Sequence, residues 1–203
     1  MNLAIFAYSH TGCGTARRVL AALPEAHAKC YAVPRLEEAG FLPLEKAVYG
    51  AAFSEMDALI FVGAAGIAVR EIAPYVRDKR TDPAVLCLDE RANFVIPLLS
   101  GHIGGANALA RRLAAALGAT AVVTTATDVN GKFSVDTWAT ERGCAISDMG
   151  LAKRLSDISF RNEPAHVPLL RILGACDGAV SALRRSAPPG GRGDAEGGGR
   201  AAL

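Results

Sequence analysis

The chain has 203 residues, 51% of them apolar, with Lys+Arg 22 against Asp+Glu 20. That apolar share can bury a core and excludes wholesale disorder, while a net charge of +2 lacks the basic excess of a nucleic-acid-binding surface. Cys13, Cys30, Cys87, Cys144 and Cys176 are scattered without a C-x-x-C pair, so no disulfide framework or zinc site is expected and a reducing cytoplasm is the default compartment. The longest stretch free of polar side chains, Ala58–Val69, is shorter than the roughly 18 residues that span a bilayer. The chain also opens on an apolar run without a basic segment, so neither a membrane partner nor a signal peptide is expected.

Short apolar runs alternate with helical patterns in chain order, which points to an α/β fold: an open, mostly parallel, doubly wound sheet flanked by helices. Leu3–Ala7 reads as a buried first strand, followed by a loop over 8–15 and a helix carrying Ala16, Val19, Leu20 and Leu23 up to Pro24. Residues 28–33 suit a second strand, whereas 35–56 show no clear element because Pro43 and Gly50 interrupt any long helix. Ala58–Val62 is the clearest strand; Gly63-Ala64-Ala65-Gly66 follows it, and Ile67, Val69 and Ile72 then mark a short helix closed near Pro74. Ala84–Leu88 and Phe94–Leu99 flank a polar turn and read as a hairpin, with Pro97 arguing against a central place for the second strand. Leu109, Leu113 and Leu117 recur at helical spacing, and Gly118 suits the helix end. Thr120–Thr125 gives a further strand, with Thr127, Asp128 and Asn130 in the loop behind it, and a helix is expected from Phe133 to Thr140. From Ser186 onward the chain is rich in glycine and proline with little to bury, the composition of a disordered tail.

Three loops share one design, a strand end, then glycines, then a helix start: 8–15, 63–67 and 100–107. In an open α/β sheet such loops gather at the carboxyl edge of the strands, where ligands bind, and helix N–H groups there favour an anion. None has the G-x-x-x-x-G-K-[ST] phosphate loop and none matches G-x-G-x-x-G cleanly, so a nucleotide-dependent oxidoreductase rests on fold analogy alone. The run Ser100 to Asn107 is the richest, offering a hydroxyl, an imidazole and an amide among three glycines. His102 has the only side chain there that titrates near neutrality; it serves either as a general acid or base, or as a helix cap. Ser100 lacks the G-x-S-x-G elbow of a nucleophile. The mixed-charge run Arg70–Asp82 is either a solvated face or a polar loop whose Arg and Lys clamp ligand carboxylates.

The block Gly66 to Asp128 resembles the N-terminal region of the cobalamin-biosynthesis family CbiG. The likeness is most specific in Asp78-Lys79-Arg80-Thr81-Asp82-Pro83-Ala84-Val85, in Pro97-Leu98-Leu99-Ser100-Gly101-His102-Ile103-Gly104-Gly105-Ala106-Asn107, and in Thr124-Thr125-Ala126-Thr127-Asp128. It continues through Phe133 to Ala139. The resemblance implies a cobalt-precorrin-5A hydrolase of the anaerobic route to cobalamin, in which water opens the ring-A acetate δ-lactone and a two-carbon fragment leaves as acetaldehyde. It implies a cobalt-corrinoid intermediate as the ligand, cobalt arriving with the substrate, and no cofactor or metal held by the protein.

On this expectation His102 is the acid-base group, with Ser100 as the second catalytic candidate, and the N–H groups of residues 101–105 hold the oxyanion. Arg70, Lys79 and Arg80 face the substrate carboxylates. Gly63, Gly66, Gly101, Gly104 and Gly105 line the ligand with backbone, and Asn107, Thr125 and Asp128 complete the binding set. Full-length family members continue into a middle region and a C-terminal domain, but here the pattern is lost after Ser156. The expected organisation is a family-like α/β domain over 1–140, a partial or divergent middle region over 141–185 and the tail over 186–203. A separately encoded C-terminal domain is the partner this implies, and the alternative reading is a non-catalytic corrinoid-binding or interaction module that requires it.

Overall fold

The computed structural model describes residues 1–131 together with 150, 151 and 154. The tail over 186–203 and the helix expected from Phe133 to Thr140 lie outside the described residues, as does the region 141–185 apart from those three positions.

Strands β1 (Asn2–Ala7), β2 (His27–Ala32), β3 (Leu42–Pro43), β4 (Ala58–Val62), β5 (Ala84–Leu88), β6 (Phe94–Leu99) and β7 (Thr120–Ala121) form one sheet in the order β3-β2-β1-β4-β5-β6-β7. All neighbours are parallel except β5 and β6. Every residue of β4 and β5 is buried, as befits strands covered on both faces, and this is why their sequences run apolar without alternation.

Helices α1 (His10–Ala22) and α4 (Ala106–Leu117) cover one face, packing Val19, Leu23, Leu109 and Leu113 on Leu3, Ile5, Ile60 and Leu86. Helices α2 (Lys46–Glu55) and α3 (Ala65–Ile72) cover the other, packing Tyr49, Phe53 and Ile72 on Phe6, Phe61 and Val85. A short helix, α5 (Ala126–Val129), follows β7. The fold is the mostly parallel, doubly wound α/β sheet that the alternation of patterns implies. No helix among the described residues is long and apolar enough to cross a membrane.

Three elements differ from the sequence expectation. Helix α1 starts at His10 instead of after Thr15, because Ser9 caps it: the Ser9 hydroxyl accepts the Gly12 N–H at 3.0 Å. The two glycines of that first turn disguise it as a loop. Helix α2 runs through Gly50, where the missing side chain lets the Tyr75 ring lie against the backbone; a Cβ there would come within 2.9 Å of it. Strand β7 ends at Ala121, short of Thr125, although the Val122 N–H still donates to the Val95 carbonyl at 2.9 Å.

The hairpin of β5 and β6 is present, with a register shift between Val85 and Leu86 beside Pro97. Strand β6 stands between β5 and β7, yet β7 pairs only with Phe94 and Val95. Pro97 therefore owes no hydrogen bond to that neighbour, which is how the sheet accommodates it.

Candidate functional site

The hairpin has a consequence for the glycine loops. Strands β1 and β4 end at the carboxyl edge of the parallel strands, but β6 runs the other way, so Leu99 lies beside Val85 at the start of β5. The loop 100–107 therefore sits at the amino edge, and the expectation that all three loops share one edge is corrected. The five residues of β4 separate the two edges by roughly 16 Å of packed core at about 3.3 Å per residue.

At the carboxyl edge, where the order of β1 and β4 reverses, the Tyr8 ring lies on Gly63 and its hydroxyl shares a 2.9 Å hydrogen bond with that of Tyr49. Burial, and then that hydrogen bond, pushes the Tyr8 phenol far above its usual range, so it stays neutral. Ser9 donates to Glu90 at 2.7 Å, and the Arg70 guanidinium turns back onto the Gly66 carbonyl at 3.4 Å. Gly63, Gly66 and Arg70 thus stand apart from the rest of the expected set.

The amino edge gathers the others. Ser100 has φ +56, a left-handed backbone that costs an L-residue roughly 1 kcal/mol or more. Its buried hydroxyl donates to the Asp82 carbonyl at 2.9 Å, tying the loop to the segment before β5. That bond to the main chain gives the Ser100 hydroxyl a structural task in the loop. The loop then folds onto itself: Gly105 N–H donates to the His102 carbonyl, Ala106 N–H to that of Ser100, and Asn107 N–H to that of Gly101. Gly104 packs so tightly on Ser100 that a Cβ would lie 2.4 Å from the serine Cβ, and a Cβ on Gly101 would lie 2.8 Å from the Asn107 amide oxygen.

This fold aims His102 at Asp128. The ring Nε2 is 2.7 Å from Asp128 Oδ2 and 3.2 Å from the Thr127 hydroxyl, with the two paired side chains 18% and 12% exposed. Asp128 Oδ2 also accepts the Thr125 hydroxyl and, at 3.0 Å, the Asn107 amide, which bonds Thr125 as well. Asp128 Oδ1 accepts Arg111 Nη2 at 2.5 Å. Burial disfavours the Asp128 carboxylate, but hydrogen bonds from Thr125, Arg111 and His102 outweigh it and hold the carboxyl well below the usual range. Among the sequence candidates, His102, Gly101, Gly104, Gly105, Asn107, Thr125 and Asp128 form one cluster.

The segment 77–82 borders this edge. Asp82 is buried and accepts the Arg77 N–H at 2.8 Å. Arg80 grips Asp78 with Nε and Nη2 and thereby lowers that carboxyl to about 2, which leaves Nη1 as the guanidinium nitrogen not used in this pair. Lys79 stays exposed.

Arg111 and Thr127 were not singled out as site residues from sequence. Arg111 follows Asn107 by four positions and so shares its helix face, and Thr125-x-x-Asp128 has capping-box spacing; both signals were present.

Because Asp128 takes up its proton later in the folded chain than in the unfolded one, it contributes stability that is complete above its unfolded pKa of about 4 and lost as pH falls below that. Asp128→Asn is expected to decline less in Tm between pH 5 and pH 3 than the parent does. Parallel Tm profiles for the two would show that the carboxylate makes no such contribution.

Residues 47–128 match the family model for the cobalamin synthesis G N-terminal region, a span that includes the whole cluster. A cobalt-precorrin-5A hydrolase of Salmonella typhimurium is 47% identical over 154 residues, covering 74% of this chain and 43% of that relative. One of Priestia megaterium is 51% identical over 84 residues, covering 41% of this chain and 22% of its own length. The chain spans less than half the length of these curated relatives. A solved cobalamin biosynthesis protein G homologue from Sulfolobus solfataricus shares the fold with a TM-score of 0.51 at 24% identity, over 82% of this chain and 51% of that one. The chain is thus a member of the cobalamin synthesis G family and carries its N-terminal region.

Proposed function

We propose that this chain supplies the reacting loop of a cobalt-precorrin-5A hydrolase. The observation that carries the reading is the pairing of His102 with an ionised Asp128 on a glycine-rich loop, within the segment that the hydrolase relatives share. Opening a lactone needs a base to take a proton from water as its oxygen adds to the acyl carbon, donors for the oxyanion, and an acid for the departing ring oxygen. His102 performs both proton transfers. Of the N–H groups of 101–105, that of Gly105 is spent on the His102 carbonyl. Those of Ile103 and Gly104 have no partner among the described residues and receive the oxyanion.

A macrocycle seated against His102 at the amino edge is met by Lys79 and Arg80 as partners for its peripheral carboxylates. It does not reach Gly63, Gly66 or Arg70 on the far edge. Cobalt enters as part of the substrate, and the compartment proposed is the cytoplasm.

The test is acetaldehyde release from cobalt-precorrin-5A by the full chain, alone and with the C-terminal part of the Salmonella relative added. Release in either arm supports the hydrolase. Corrinoid binding without release in both arms would replace it with a binding module.

A further inference from the structure

We infer, building on the hydrolase reading of the neighbouring loop, that the turn 77–82 is a carboxylate-binding arm in which Arg77 joins Lys79 and Arg80, and that Asp82 is the positioning residue that sets Arg77. The sequence places these three cations within four positions, and all three are exposed. An open loop would scatter them, but this one is closed on itself. The Asp82 N–H donates to the Asp78 carbonyl at 2.8 Å, and the Thr81 N–H to the same oxygen at 3.0 Å. The Asp82 carboxylate takes the Arg77 N–H at 2.8 Å, so the two ends of the turn meet. The Asp78 carboxylate takes the Arg80 N–H at 3.0 Å as well as its guanidinium.

Asp82 is anchored in turn. It is buried two residues before β5, and its carbonyl accepts the Ser100 hydroxyl at 2.9 Å. One residue therefore serves two segments: its side chain holds the backbone of Arg77, and its main chain ties the turn to the loop that carries His102. The two acids of the turn are already engaged, Asp78 by Arg80 and Asp82 by the Arg77 N–H. The Arg77 and Lys79 side chains make no hydrogen bond or ion pair with the described residues, and Arg80 keeps Nη1. The turn thus offers a fork of N–H donors from Arg77, the single charge of Lys79 and one further donor from Arg80. That donor set suits a ligand carrying several separated carboxylates, and a turn that is closed and tied presents it at a fixed distance from the reacting loop.

The test is equilibrium binding, by the full chain, of cobyrinic acid, whose peripheral groups are free acids, and of its fully amidated derivative. The parent is expected to bind the acid about 10-fold more tightly than the amide, each exposed ion pair being worth up to about 5-fold. Arg77→Gln alters an exposed side chain, so the fold survives, and it is expected to weaken acid binding about 3-fold with the amide unchanged. Asp82→Ala is expected to weaken acid binding about 3-fold as well, although it removes a negative charge. Asp82→Asn removes the same charge but keeps an oxygen for the Arg77 N–H, so it is expected to match the parent or bind the acid more tightly. Charge alone would tighten acid binding in both Asp82 variants, and a general loss of structure would weaken acid and amide alike; either pattern would overturn the positioning role. A parent that binds the acid no better than the amide, or Arg77→Gln at parent affinity, would overturn the arm. Binding is read without turnover: the expected preference without acetaldehyde release counts against the hydrolase reading alone, while release without the preference counts against this inference alone.

Discussion

His102→Gln is expected to lower acetaldehyde release by about 10²–10⁴-fold, the usual contribution of a positioned general acid or base. Glutamine keeps a donor that can reach Asp128, so the carboxylate retains a partner in place of the Nε2 hydrogen bond. The loss in stability should then stay near 1 kcal/mol, the net worth of a single hydrogen bond. A rate that collapses while Tm holds separates chemistry from folding. A folded variant with near-parent turnover would remove His102 from the reaction.

Gly104→Ala is expected to be the most damaging single methyl group in the loop. The new Cβ would stand 2.4 Å from Ser100 Cβ and 2.9 Å from the Ser100 carbonyl oxygen. Ser100 cannot step aside: its left-handed backbone is held by the hydroxyl bond to Asp82 and by the Ala106 N–H on its carbonyl. Overpacking of this kind costs about 1–3 kcal/mol, or some 2–4 °C of Tm per kcal/mol for a chain of this size. Because His102 lies between the two colliding residues, turnover should fall together with stability. Gly14→Ala in α1 is the control: nothing lies within 4 Å of its Cβ position, and alanine there should stabilise the helix by about 0.5–1 kcal/mol. Thermal unfolding of the two variants should move in opposite directions; an unchanged Tm for Gly104→Ala would mean that the loop can yield.

The elements that sequence conveys best are those governed by local rules. Ala58–Val62, Ala84–Leu88 and Phe94–Leu99 stand where their apolar runs put them, and Gly118 ends α4 in a left-handed conformation. Helix α1 was half hidden because its cap, Ser9, is followed by glycines that read as a loop.

The larger error was one of topology. A hairpin at 84–99 reverses β6, and a reversed strand delivers its following loop to the opposite edge, so the expected hairpin already contradicted a single glycine-lined edge. His102 and Asp128 lie 26 positions apart, and only the pairing of β6 with β7 brings their loops together. No local pattern encodes that meeting. The candidate list nevertheless held both residues, because the family resemblance spans both loops. Arg111 was not among the candidates, although its spacing from Asn107 puts it on the same helix face and it meets the same acid.

A general rule for open α/β sheets would place a ligand at the carboxyl edge between β1 and β4, over Tyr8 and Gly63, whereas the hydrolase site proposed above lies at the amino edge beside His102. The most direct measurement is a crystal structure of the full chain with a cobalt-corrinoid that still carries its ring-A lactone. The account predicts the lactone carbonyl within hydrogen-bond reach of His102, with the macrocycle rim toward Lys79 and Arg80. A macrocycle seated over Tyr8, Gly63 and Gly66, with His102 more than 10 Å or so from the lactone across the β4 core, would contradict it.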